Sequence, residues 1–194
     1  MPSNIDAAIP PFGNPTTAGV RNNFAAAKAE IEAIQGSIGF VDYNDLATAT
    51  TPISVTANTW TKLTNDTAGP FTKTDAFPSG ITTLWNATNN QIDLSQCPLK
   101  TMVNARYDIV VTTTAANQVV EMAVYLGIGS PSAYSTQRFI QQFKTAGSYN
   151  VAPFGGSYVG TNDIKNYPAE IRVRSDAACT VKVNGWYFQI FNKV

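Results

Sequence analysis

The apolar period of this chain changes once, and that change dictates its architecture. Up to residue 38 apolar side chains recur at Val20, Phe24, Ala27, Ile31, Ile34 and Ile38, spaced alternately four and three apart. That alternation averages 3.5 residues and keeps them on one seam of a helix, as at the a and d positions of a short coiled coil. From about Thr48 the period becomes two. Segments around Ile53 to Val55, Trp60 to Leu63, Ile81 to Trp85, Gln91 to Leu94, Ala105 to Thr113, Gln118 to Leu126, Gln137 to Lys144, Tyr149 to Tyr158, Glu170 to Arg174 and Cys179 to Phe191 are rich in Val, Ile, Thr and aromatics, with turn residues between them. Strands in that number without intervening helices make a sandwich or barrel. The expected fold is mainly β: an antiparallel jelly-roll sandwich (residues 51–194) preceded by an extended anchoring arm (1–14), one oligomerising α-helix (15–36) and a linker (37–50).

The arm has three prolines and one glycine, with Ile5, Ile9 and Phe12 as isolated apolar anchors. Asn14 supplies an N-cap and Pro15 sits at the first helical position, where its missing N–H costs nothing. A helix from Pro15 to Gln35, stopped by Gly36, is a rod of about 30 Å. Its seam is shorter than three heptads, marginal in isolation, so it needs a partner surface. Isoleucine at successive seam positions favours three strands over two. The alternative is that the helix docks on its own β domain.

Apolar residues make up 44% of the chain and charged residues 13%, about half the ordinary charged share. Thirteen basic and thirteen acidic residues cancel, and no basic cluster exists to release counterions from a nucleic acid. Low self-repulsion suits close packing of many copies. No apolar run is long enough to span a membrane, and no basic n-region precedes an apolar h-region. Cys97 and Cys179 are too few for a disulfide framework and sit in strand contexts; we expect two reduced core thiols, a single bridge being the alternative.

Catalytic chemistry is sparse. The chain has no histidine, which removes the commonest general base and metal ligand, and two cysteines cannot build a structural zinc site. Gly127-Ile128-Gly129 lacks the lysine and helix start of a phosphate loop. Asp42, Asp45, Asp93, Asp163 and Glu170 show no paired spacing of the kind a glycosidase needs, and the Asp42–Asp45 cluster lacks the glycine and distal glutamate of an EF-hand. We therefore expect no enzyme, no cofactor and no metal. Asn184-Gly185 reads as a tight hairpin turn, and Trp186 to Phe191 as a central aromatic strand. Tyr134, Phe154 and Tyr158, read as exposed loop aromatics, suit either a sugar platform or a subunit interface.

The run Gly13-Asn14-Pro15-Thr16-Thr17-Ala18-Gly19-Val20-Arg21-Asn22-Asn23-Phe24, followed by Lys28-Ala29-Glu30-Ile31, resembles a segment near the N-termini of bacteriophage head-fibre, decoration and tail-fibre-like proteins. The β region is similar in strand number and closing aromatic strand to the trimeric jelly rolls of viral decoration proteins and of the tumour necrosis factor and complement families. The resemblance implies a homotrimer with its helices bundled on a three-fold axis. The expected function is a capsid decoration (cement or head-fibre) protein that assembles into virions in the bacterial host cytoplasm. Its partners would be itself and the phage major capsid protein or other virion proteins, with neither nucleic acid nor membrane. The alternative is a tail-fibre or receptor-binding protein whose β-domain loops contact host surface glycans.

Overall fold

A computed structural model describes residues 17–192. The arm, with Ile5, Ile9 and Phe12, and the expected cap at Asn14 and Pro15 lie outside the described residues. Helix α1 (Thr17–Gln35) ends where Gly36 was expected to stop it, with Gly36 N–H donating to Glu32 O at 2.9 Å. The next elements are β1 (Ile38–Asn44), α2 (Ala47–Thr50), β2 (Ile53–Val55), β3 (Thr61–Lys62), β4 (Trp85–Asn86) and β5 (Gln91–Ile92). There follow β6 (Met102–Thr113), β7 (Gln118–Leu126), β8 (Tyr134–Phe143), β9 (Gly147–Val151), β10 (Phe154–Tyr158), α3 (Asn162–Asn166), β11 (Glu170–Ser175) and β12 (Cys179–Phe191).

Beside a separate β4–β5 hairpin, the strands form two large antiparallel sheets. One runs β1-β12-β6-β10, with β2 added to β12 and β9 to β6; the other runs β3-β11-β7-β8. The pairings are nested: β1 with β12, β3 with β11, β6 with β9 and β10, and β7 with β8. A chain folded double in this way and rolled into two layers is a jelly roll, the fold expected from the sequence. Alternation along β6 sends one set of side chains inward: Val103, Ala105, Tyr107, Ile109 and Val111 are all buried.

Large aromatics fill the centre. Trp186 meets Tyr107 and Trp85 edge to face, with ring centroids at 5.7 and 6.0 Å, and Tyr43 meets Phe188 at 6.0 Å. Their polar ends fasten the long crossing between β3 and β6: Trp85 Nε1 donates to Asn65 O at 2.9 Å and Leu84 N–H donates to Tyr43 Oη at 3.0 Å. Both cysteines are free and buried, as expected of core thiols, and burial pushes Cys97 up to about 12.

Five expectations are corrected. Residues 37–50, read as a linker, hold β1 and α2, and Ile38 belongs to β1 rather than to the helix seam. Tyr149 to Tyr158 is two strands, because Pro153 brings no N–H to a ladder. Trp85 stands in a two-residue strand, while residues 81–84 are irregular chain that buries Ile81 and Leu84 and leaves Thr82 exposed. Finally, Asn184-Gly185 is no hairpin: β12 runs through it, with its register against β6 shifting between Val183 and Gly185. Neither residue has the positive φ of a tight turn. The glycine instead serves close approach, since a Cβ there would lie 2.9 Å from Tyr43 O. The groups loosened by the irregularity find other partners: Val183 N–H donates to Thr48 Oγ1 at 2.8 Å and Asn184 O accepts from Asp45 N–H at 3.0 Å.

Replacing Gly185 by Ala is expected to force β1 away from β12 and destabilise the domain by about 1–3 kcal/mol. Urea unfolding measures it, and an unchanged midpoint would contradict the close-approach role.

Candidate functional site

The helix presents its seam to solvent. None of its described side chains is buried, and Phe24, Ile31 and Ile34 are 55–73% exposed. A helix docked on its own domain would cover those residues, so docking is not how this chain satisfies them. Val20 and Ala27 on the same seam are half-buried.

A second apolar surface begins where the helix ends. On the outer face of the β1-β12-β6-β10 sheet the registers align Ile38, Phe191, Met102 and Tyr158 in one row across four strands. The next row is Phe40, Gln189, Asn104 and Gly156, and the third is Asp42, Tyr187, Arg106 and Phe154. Ile38, Phe40, Met102, Phe154, Tyr158 and Phe191 are 38–59% exposed. Phe40 tilts against Tyr187 with centroids at 6.3 Å. Charge enters at the third row, where Arg106 binds Asp108 at 2.8 Å and half-burial raises the Asp42 carboxyl against the pull of Arg106.

The three exposed aromatics anticipated from the sequence are therefore placed on strands rather than loops. Phe154 and Tyr158 lie on β10, and Tyr134 opens β8 on the other sheet. Phe191 ends the aromatic strand expected to fill the core or a subunit contact, and it is an outward member of that strand; Phe40 and Met102 were missed, yet the flanking strands carry a signal. In Ile38-Gly39-Phe40-Val41 and Phe188-Gln189-Ile190-Phe191 apolar residues occupy both parities, the pattern of a strand wanted on two faces.

The opposite outer face is built differently. Arg174 lies over Trp60 at 5.2 Å and binds Glu121 at 2.7 Å, and Arg172 lies over Tyr125 at 4.6 Å and binds Glu170 at 2.6 Å. Glu170 is largely buried and also accepts from Gln91 Nε2 at 3.0 Å and Lys62 Nζ at 3.2 Å. Burial alone would raise its carboxyl, but these hydrogen bonds outweigh burial and hold it below its ordinary value. The side between the sheets is closed by Arg138. It is the extra residue where the β7–β8 register shifts, and it donates to Gly156 O at 2.9 Å and Ser157 Oγ at 2.7 Å.

The anticipated carboxylates separate. Asp45 accepts from the Thr48 hydroxyl at 2.6 Å and from the Thr48 N–H at 2.7 Å in the first turn of α2, while Asp42 faces outward on β1. Among the described residues no three of His, Cys, Asp and Glu converge in a way that holds a metal ion. No described helix is long and apolar enough to cross a membrane. A groove of about 320 Å³ lies between the β4–β5 hairpin and α3, lined by Asn86, Gln91, Asp93, Ser95, Asn166 and Tyr167.

No family model and no curated protein matches the chain. Among solved structures it is similar to one of infectious bursal disease virus Gx strain (10% identity, 80% of this chain and 32% of that chain, TM-score 0.43). It is also similar to PRD1 vertex protein P5 (12%, 80% and 96%, TM-score 0.39) and to Eiger TNF from S. frugiperda (7%, 81% and 94%, TM-score 0.44). The chain thus spans about a third of the bursal disease virus chain. Likenesses this distant say nothing of function, and the architecture stands on the strand pairings themselves.

Because the Glu170 carboxyl titrates lower in the folded chain than in the unfolded one, its stabilisation is complete above the unfolded value and lost as pH falls through the folded one. Glu170→Gln is expected to cost about 1–3 kcal/mol at neutral pH, with the deficit shrinking as the pH is taken below about 4. Urea unfolding of both proteins across that range measures it, and a pH-independent deficit would contradict the assignment.

Proposed function

We propose that this chain is a homotrimeric virion structural protein, a capsid decoration protein that cements the shell of a bacteriophage. The observation that carries the reading is the unpartnered apolar seam of α1, with Phe24, Ile31 and Ile34 in solvent on a helix too short to be stable alone. Three such seams satisfy one another, with Val20 and Ala27 filling the narrower layers. The low charge of the chain supports dense packing on a lattice.

In this reading Ile5, Ile9 and Phe12 of each arm anchor the trimer to the major capsid protein or another virion protein. Each fully buried anchor contributes about 1.5–3 kcal/mol. Three arms on one body act at high effective concentration, so the trimer holds where a single chain would dissociate. A ligand of the assembled lattice that ignores free subunits stabilises the shell by mass action. Nothing in this role asks for catalysis or a cofactor.

The groove beside Tyr167 favours a second reading, a receptor-binding protein. Amide, carboxylate and hydroxyl groups around an exposed aromatic suit an uncharged polyhydroxylated ligand, so host surface glycans are the ligand class. Exposed Tyr134, Phe154 and Tyr158 are the other candidate contacts.

Immunogold labelling of purified phage particles separates the readings. Label over the head at many sites is the expected result; label confined to the tail would move the function to the second reading, and unlabelled particles would remove both. Removing residues 1–14 is expected to abolish attachment to particles while the β domain keeps its stability. Ile31→Asp with Ile34→Asp is expected to reduce the native mass to one chain, and a mass unchanged by that pair would contradict the seam.

A further inference from the structure

The two outer faces of the sandwich are finished in opposite ways. On the β3-β11-β7 face guanidinium groups roof Trp60 and Tyr125 and are themselves held by carboxylates. On the β1-β12-β6-β10 face Arg106 leans over Tyr187 at 5.5 Å, while the six apolar side chains above it stay bare. Charge on this face begins away from the helix: the first row has four apolar residues, the second has Phe40 among uncharged neighbours, and only the third sets Asp42 and Arg106 beside Tyr187 and Phe154.

We infer that this face is the surface through which the β domains of three copies of the chain meet, around the same axis as their helices. The inference rests on the homotrimer reading and specifies where its subunits touch. Its first argument is the joint between helix and sheet. Ser37 Oγ donates to Ile34 O at 2.6 Å, Ser79 N–H to Gly36 O at 3.0 Å and Asn192 N–H to Ser37 O at 2.8 Å. Those bonds tie the end of α1 to the long crossing at Ser79 and to the residue that follows β12. Helices in a bundle pack about 8–10 Å apart, and Ile38 follows Ile34 within about 14 Å of chain. Bundling the helices therefore brings three copies of the Ile38, Phe191, Met102 and Tyr158 row to the axis.

Area gives the second argument. Six side chains about half exposed offer on the order of 500 Å² of apolar surface, and the three exposed seam residues add on the order of 300 Å². The sum, on the order of 800 Å² per chain, is shared between two neighbours, and the uncharged Gln189 and Asn104 of the second row extend each contact toward the roughly 800 Å² that a partner buries in a stable interface. Charge gives the third. Identical copies bring like charges together wherever a charged patch meets itself, and the two rows nearest the joint carry no charged residue.

The test uses the full chain with the photo-cross-linking residue p-benzoylphenylalanine placed at Phe40, Tyr158 or, as control, Trp60. Native mass spectrometry and denaturing gels read the outcome, together with a Phe40→Ser variant whose fold is checked by circular dichroism. The expected result is a native trimer cross-linked between chains from Phe40 and Tyr158 but not from Trp60, with trimer dissociation about tenfold or more easier in Phe40→Ser. A native trimer lacking cross-links at Phe40 and Tyr158 overturns this inference and leaves the homotrimer standing. A native monomer overturns the homotrimer reading itself. Cross-links from Phe40 in whole virions to a different protein, without any between copies, give the face to another partner and also overturn the inference.

Discussion

The pairing of β12 with its neighbours is the contact on which the rest of the structure depends. Cys179 to Phe191 lies against β6 along almost its whole length and against β1 and β2 on its other side. Its inward residues Trp186, Phe188 and Ile190 are fully enclosed. Tyr107, Trp85 and Tyr43 all pack on those rings, so the central aromatic cluster, the long crossing after β3 and the first strand share one support. Even the start of the sheet is held from the end of the chain, since the backbone of Asn192 donates to Ser37. First strand paired with last is a non-local topology, one that closes its largest loop before its contacts reward it.

Scarcity of charge shapes the surface as strongly as β12 shapes the core. Much of the ion pairing on the sandwich is spent on one sheet, where Lys62, Glu170, Arg172, Arg174 and Glu121 form a connected lattice over Trp60 and Tyr125. The opposite sheet has few charges left and exposes Phe40, Phe154 and Phe191. The charges that roof Trp60 and Tyr125 are thus gathered on one face, while the two rows of the other face nearest the helix carry none.

The sequence was legible wherever one signal ruled. Gln118 to Leu126 and Cys179 to Phe191 were bounded correctly because β-branched and aromatic residues run between turn residues at both ends, and the stop at Gly36 followed from a single glycine after a periodic helix. It misled where one local signal had two physical causes. Asn-Gly usually means positive φ, but Gly185 is required because the β1 backbone at Tyr43 passes too close for a Cβ, a demand made by a strand 142 positions away in the chain. Ile38 fits the helical heptad and also fits β1, and tertiary pairing with Phe191 decides between them. Of the candidate surface, the helix seam was visible as a period, whereas the sheet face was not. Its rows are assembled from Ile38, Met102, Tyr158 and Phe191, residues of four strands whose alignment exists only in the register.

These two surfaces differ in what they need before they can form. The outer face of the sheet exists as soon as β12 has paired with β1 and β6, because strand alternation then fixes which side chains point outward. The helix is different: on its own it is marginal, and its Lys28–Glu32 pair is exposed and contributes little. Its apolar side chains gain nothing by lying on this chain's own sandwich, from which they point into solvent. In the proposed trimer, packing of the seam and persistence of the helix are therefore one event, and the sandwich supplies the rigid base from which it starts. The sandwich has a complete core of its own, whereas in the proposed trimer the helix acquires its partner only when copies meet.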